Sequence, residues 1–156
     1  MHLNKITLIV ALIISVSFVA CGGGSDSSDS TNNDDSQSMY QQEDRVDPMK
    51  EKGVGPITSV ELGPIDEAMA AEGEAIYNSK CTSCHKPNEK YVGPAHKGIT
   101  KRRTPEWIMN MILNPENMLA NDPIAKQLQG DYLSPMANQN LTEDEARKVL
   151  EYLRTL

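Results

Sequence analysis

Large apolar side chains are scarce in this chain. Among 156 residues there are one phenylalanine, one tryptophan and five tyrosines, and the phenylalanine, Phe18, lies in an apolar run near the N-terminus. A small domain with so few aromatics is marginal on its own and needs a staple or a cofactor. Disulfides are not an obvious staple, because there are only three cysteines, Cys21, Cys81 and Cys84. Positive charge is also short, with 15 Lys and Arg against 22 Asp and Glu and a net charge of −7, which argues against nucleic acid as a partner. No convincing strand alternation and no internal repeat is present, so sheet folds and solenoids are disfavoured.

The N-terminal apolar run follows Lys5 and extends from Ile6 to Ala20. It is shorter than the roughly 20 residues that cross a bilayer core, so its layout points to an export signal rather than a membrane-spanning anchor. Phe18-Val19-Ala20-Cys21 resembles a bacterial lipobox, with Phe18 where leucine is usual. The expectation is a signal peptide over residues 1–20, lipidation of Cys21, and a protein tethered to the cell envelope facing the periplasm. The sequence does not choose between inner and outer membrane. Residues 22–59 carry eight acidic side chains against three basic ones. Such a stretch buries too little apolar surface to offset the entropy of ordering, so residues 21–64 read as a lipidated cysteine followed by a disordered acidic tether and linker. Pro48 to Pro64, broken by Gly53, Gly55, Pro56 and Gly63, reads as an extended arm.

Residues 65–156 read as an all-α domain. Asp66 and Glu67 suit the first turn of a helix that carries Met69, Gly73, Ile76, Tyr77 and Lys80 at helical spacing and runs into Cys81. Thr104 and Pro105 announce a second helix with Trp107, Ile108, Met111 and Ile112 on one face and Met109 off that face, stopped at Asn114-Pro115. Thr142 and Glu145 form a capping box opening a third, with Ala146, Val149, Leu150 and Leu153 as its stripe. Three main helices with long loops between them are expected.

Cys81-Thr82-Ser83-Cys84-His85 carries the chemistry. At the end of a helix, two thiols three positions apart share one side and can add to the vinyl groups of a haem, while the next histidine turns its imidazole to the iron. The competing readings are a disulfide or thioredoxin-like redox pair, a zinc site of Cys81, Cys84, His85 and His96, and coincidence. A redox pair lacks its usual βαβ setting here, and zinc would need ligands from two adjacent residues.

In this setting residues 65–156 resemble the class I cytochromes c. Gly73, Tyr77 and Cys81 match the family's glycine, aromatic and cysteine at four-residue steps, and Gly93-Pro94 matches its Gly-Pro turn. The resemblance implies the cytochrome c fold around one covalent haem c, with the last helix crossing Gly73 through Val149, Leu150 and Tyr152. It further implies that the Pro94 carbonyl accepts a hydrogen bond from His85, that Trp107 helps bind the cofactor, and that Met136, after Pro135 and before the last helix, is the sixth iron ligand. Met118 is the alternative ligand. His96 reads as a surface residue, and Met69 and Met111 as core.

With histidine and methionine both bound, the iron has no open position, so the implied function is single-electron transfer between membrane or periplasmic redox partners. The alternatives are a haem enzyme or ligand-binding cytochrome with a labile sixth ligand, and a dedicated donor subunit for a terminal reductase or oxidase. Lys80, Lys86, Lys90, Lys97, Lys101, Arg102 and Arg103 face only Glu89 between positions 80 and 103, which predicts a partner with an acidic docking face.

Overall fold

The computed structural model describes residues 46–156. The signal segment, Cys21 and most of the acidic tether lie outside the described residues.

Five helices follow in order: α1 (Glu67–Lys80), α2 (Pro105–Leu113), α3 (Pro115–Asn121), α4 (Pro123–Tyr132) and α5 (Glu143–Arg154), with a 3₁₀ turn at Ile99–Lys101. No strand occurs among the described residues. The three main helices expected are α1, α2 and α5, and the long loop expected between the second and third holds two further helices, α3 and α4. Asn114 and Asp122 each end one helix and begin the next, because the prolines that follow them occupy the first helical position, where the missing N–H costs nothing.

The ends are set by local chemistry. The Asp66 carboxylate accepts from Met69 N at the start of α1, Thr104 accepts from Trp107 N at the start of α2, and Thr142 with Glu145 completes a capping box on α5. α1 buries Ala70, Gly73 and Tyr77 on one face, and α5 buries Ala146, Val149, Leu150 and Leu153 on the face that meets it. Gly73 is required at this crossing, since a Cβ there would collide with the Lys148 carbonyl of α5. Glu151, fully buried on α5, accepts from Asp66 N at 2.8 Å and from Arg154 at 2.7 Å, which ties the two helices through their polar groups as well.

Residues ahead of α1 lie along α2. The side chain of Asn110 is fully buried; its amide donates to the carbonyls of Lys52 and Ile57 at 2.9 Å each, and its oxygen accepts from Ile57 N at 2.9 Å. Thr104 donates to the Glu51 carbonyl, and Glu106 accepts from Val60 N. This arm brings Ile57 into the core. Met109, off the apolar face by sequence, is buried as well, in the neighbourhood of Ile57 and Val60. α2 is thus covered on two faces, and its other apolar residues, Trp107, Ile108, Met111 and Ile112, line a cavity.

Candidate functional site

The cavity, about 280 Å³, is walled by apolar side chains of α2, α4 and α5 and closed on one side by the end of α1 and the loop after it. Cys81 caps α1, its N–H bonded to the Tyr77 carbonyl, and the chain then turns so that both Cys84 N and His85 N reach the Cys81 carbonyl, at 3.1 and 2.9 Å. That turn brings Cys81, Cys84 and His85 to one wall. Both thiols are free. Cys81 is the more enclosed, and burial, followed by the nearby Cys84, pushes its thiol up to about 11.

His85 is fixed on two sides. Its Nδ1 lies 3.0 Å from the Pro94 carbonyl oxygen. A carbonyl can only accept, so Nδ1 carries the proton and Nε2 keeps a lone pair for a metal. Gly93 leaves room for the ring, since a Cβ there would collide with Cε1 of His85. Burial holds the imidazole below its ordinary pKa, partly offset by the bond to Pro94, so the ligating neutral form is favoured.

His96 is not a surface residue, which corrects the sequence expectation. Its ring stacks on His85 with centroids 4.2 Å apart, and its Nδ1 lies 3.1 Å from the Tyr77 hydroxyl. Burial first, then His85 and Arg102, bring its pKa down to about 3, so it stays neutral. Tyr77, buried at the α1–α5 contact, supplies the polar partner that makes this burial tolerable. Neither sequence spacing nor composition signals that pairing, because it is made across 19 positions.

Met136 and Met118 separate cleanly. Met136 lines the cavity from the irregular segment before α5. Met118 is fully buried in α3, where its sulfur accepts from Val54 N at 3.0 Å under the arm, and it does not line the cavity. Trp107 lines the cavity with its ring, while its indole N–H donates to Asp122 Oδ1 at 3.1 Å. Gly93 and Pro94 share the wall with His85. Every cofactor residue expected within 46–156 thus borders one cavity.

The cavity also suits the carboxylates that a haem carries at its edge. Lys80, Arg102 and Arg103 line it, and the Arg103 Nε is buried without a hydrogen-bond partner while its guanidinium stands 5.2 Å over the Trp107 ring. An apolar slot, two free thiols, an oriented imidazole and an orphaned cationic donor fit that group. These features define a c-type haem protein.

Comparison with known proteins agrees. The family model for cytochrome c matches residues 70–156. Cytochrome c2 of Rhodocyclus tenuis is 30% identical over 88 residues, which is 55% of this chain and 94% of the relative. A solved cytochrome c from Rhodothermus marinus is 46% identical with a TM-score of 0.64, covering 65% of this chain and 88% of that one. An engineered form of it, solved with a carbene intermediate bound, is 46% identical with a TM-score of 0.61, covering 65% of this chain and 88% of that one. The chain belongs to the cytochrome c family, whose members bind one covalent haem c and serve haem-based electron transfer.

Proposed function

We propose that the protein is a single-electron carrier of the bacterial cell envelope, with His85 and Met136 as the axial ligands of a haem c joined to Cys81 and Cys84. The observation that carries the reading is that His85, with its proton held by Pro94, and Met136 border the same cavity as the two thiols, whereas Met118 is engaged elsewhere. When bound, the haem takes up and gives back one electron at its iron. The chain's own residues hold that site still. Pro94 fixes the His85 tautomer, Gly93 admits its ring, and the walls from α2, α4 and α5 exclude water, so little rearrangement accompanies each transfer. A thioether on the sixth position favours the reduced metal and raises the potential.

The run from Ile6 to Ala20 and the lipobox-like segment ending at Cys21 support a lipid anchor, and the basic cluster between Lys80 and Arg103 supports a partner with an acidic docking face.

Absorption spectra of the purified protein test the ligation. The oxidised wild type should be low-spin and show the weak sulfur-to-iron charge-transfer band. Met136→Ala should abolish the band, lower the potential and admit carbon monoxide or cyanide. A wild type that binds carbon monoxide readily would instead favour the ligand-binding alternative.

A further inference from the structure

The sequence gives no reason to single out Asp122, yet it stands one side chain away from the cavity. It is 1% exposed. Its Oδ1 accepts from the Trp107 indole at 3.1 Å and from Ala125 N at 2.7 Å, and both Trp107 and Ala125 line the cavity. The contact to Ala125 is an ordinary helix cap for α4, a task that serine or asparagine performs as well. A carboxylate at so enclosed a position carries a desolvation cost that capping alone does not repay. Its hydrogen-bond donors among the described residues are both neutral. Asp122 is also felt by Arg103, which stands over the ring of the same Trp107 and whose guanidinium is pushed down by burial and by Arg102 and held up in part by Asp122.

We propose that Asp122 is a redox-tuning residue: a fixed negative charge, held by Trp107 against the cavity wall, that keeps the haem potential lower than the axial ligands alone would set. The proposal rests on the carrier reading above. In that couple one electron arrives from a reduced partner, ferric iron becomes ferrous, and no bond or proton need change. The oxidised state is more positive by one unit. A buried carboxylate nearby favours it, and the low dielectric of the wall leaves that attraction poorly screened. Met136 raises the potential and Asp122 brings it back, so that the potential becomes a property of this chain and not of its ligand pair alone.

Equilibrium redox titration of the holoprotein tests the assignment, with denaturant stability measured on the same samples. Asp122→Asn keeps an oxygen for both donors and removes the charge. It should shift the potential upward while stability stays close to wild type. Asp122→Ser keeps the cap, loses the contact to Trp107, and should shift the potential in the same direction at lower stability. Asp122→Glu keeps the carboxylate and should hold the potential close to the wild-type value. If Asp122→Asn fails to accumulate with haem attached, the comparison of Asp122→Ser with Asp122→Glu decides: equal shifts overturn the proposal. A wild-type potential in Asp122→Asn also overturns it, and with covalent haem present that result sinks the tuning role alone. Haem lost from the wild type in acidic organic solvent would sink both this proposal and the carrier reading.

Discussion

Met118 and Met136 have the same side chain and opposite situations. Met118 is fully buried against the arm and accepts a backbone N–H, so truncating it leaves a cavity and an orphaned donor. Met118→Ala should cost about 2–5 kcal/mol in urea unfolding yet leave the sulfur-to-iron band in place. A lost band would transfer the ligand assignment from Met136 to Met118. Leu133 is the converse case, a residue that the fold does not use. It ends α4 in the left-handed conformation, with φ of 53°, and is 89% exposed. A branched aliphatic side chain is strained there, whereas asparagine tolerates the conformation, and no burial is lost by the exchange. Leu133→Asn should raise stability by about 0.5–1 kcal/mol, read as a higher midpoint in urea without a change of slope.

At the scale of elements, α1 and α5 are joined by a glycine crossing and by one buried carboxylate. Burial alone would raise the pKa of Glu151, but hydrogen bonds from Arg154, Arg147 and Asp66 N outweigh it, and the folded value lies below the ordinary one. A depressed carboxylate contributes stability above its unfolded pKa, near 4.3, and loses that contribution as pH falls through the folded value. Glu151→Gln should therefore lower stability by roughly 3 kcal/mol at pH 7, and the gap from wild type should narrow below about pH 4. Circular dichroism during acid titration of both proteins checks this. Helix ends of this kind were legible in the sequence at Thr104 and Thr142, which announce themselves by side-chain chemistry acting over three residues, whereas Asp66, read as a first-turn charge, is the N-cap itself. α3 and α4 were not. Pro115 read as a break, whereas a proline at the first helical position lets the residue before it end one helix and start the next. The arm along Asn110 and the stack of His96 on His85 stayed hidden for a different reason: both join segments whose separation no local pattern records. That Cys81, Cys84 and His85 share one wall was legible because their grouping rests on a fixed short spacing at a helix end.

At the scale of the whole molecule, charge is divided against itself. The chain is acidic at −7, but residues 80–103 hold seven basic side chains against Glu89, and this segment frames the cavity mouth. The structure sorts those cations by task. Arg102 donates to the carbonyls of Ala95 and Lys97, and Arg103 is half-buried over Trp107, so both are engaged at the cavity wall. Lys80 lines the cavity, and Lys90 stands 4.4 Å over the ring of Tyr132, a residue of the same wall. Both are exposed, and the proposed carrier function assigns them to the docking surface. Redox partners form small, brief contacts in which complementary charge raises the encounter rate more than the affinity. Such attraction is screened within about 10 Å at 0.1 M salt, so the bimolecular electron-transfer rate with an acidic partner should fall as ionic strength rises. Lys80→Glu with Lys90→Glu should slow that rate roughly tenfold at low salt and flatten its salt dependence, since four units of charge are exchanged beside the mouth. Lys50→Glu, on the arm that covers the other side of α2, changes the net charge without touching the rim and should alter the rate far less. Stopped-flow oxidation of the reduced protein, with potentials recorded for each variant, separates the outcomes. Equal slowing per unit of charge exchanged by Lys50→Glu and by the rim pair would mean that total charge governs the encounter, and a rate indifferent to salt and to both changes would leave the exposed apolar rim, Tyr91 and Val92, as the contact surface.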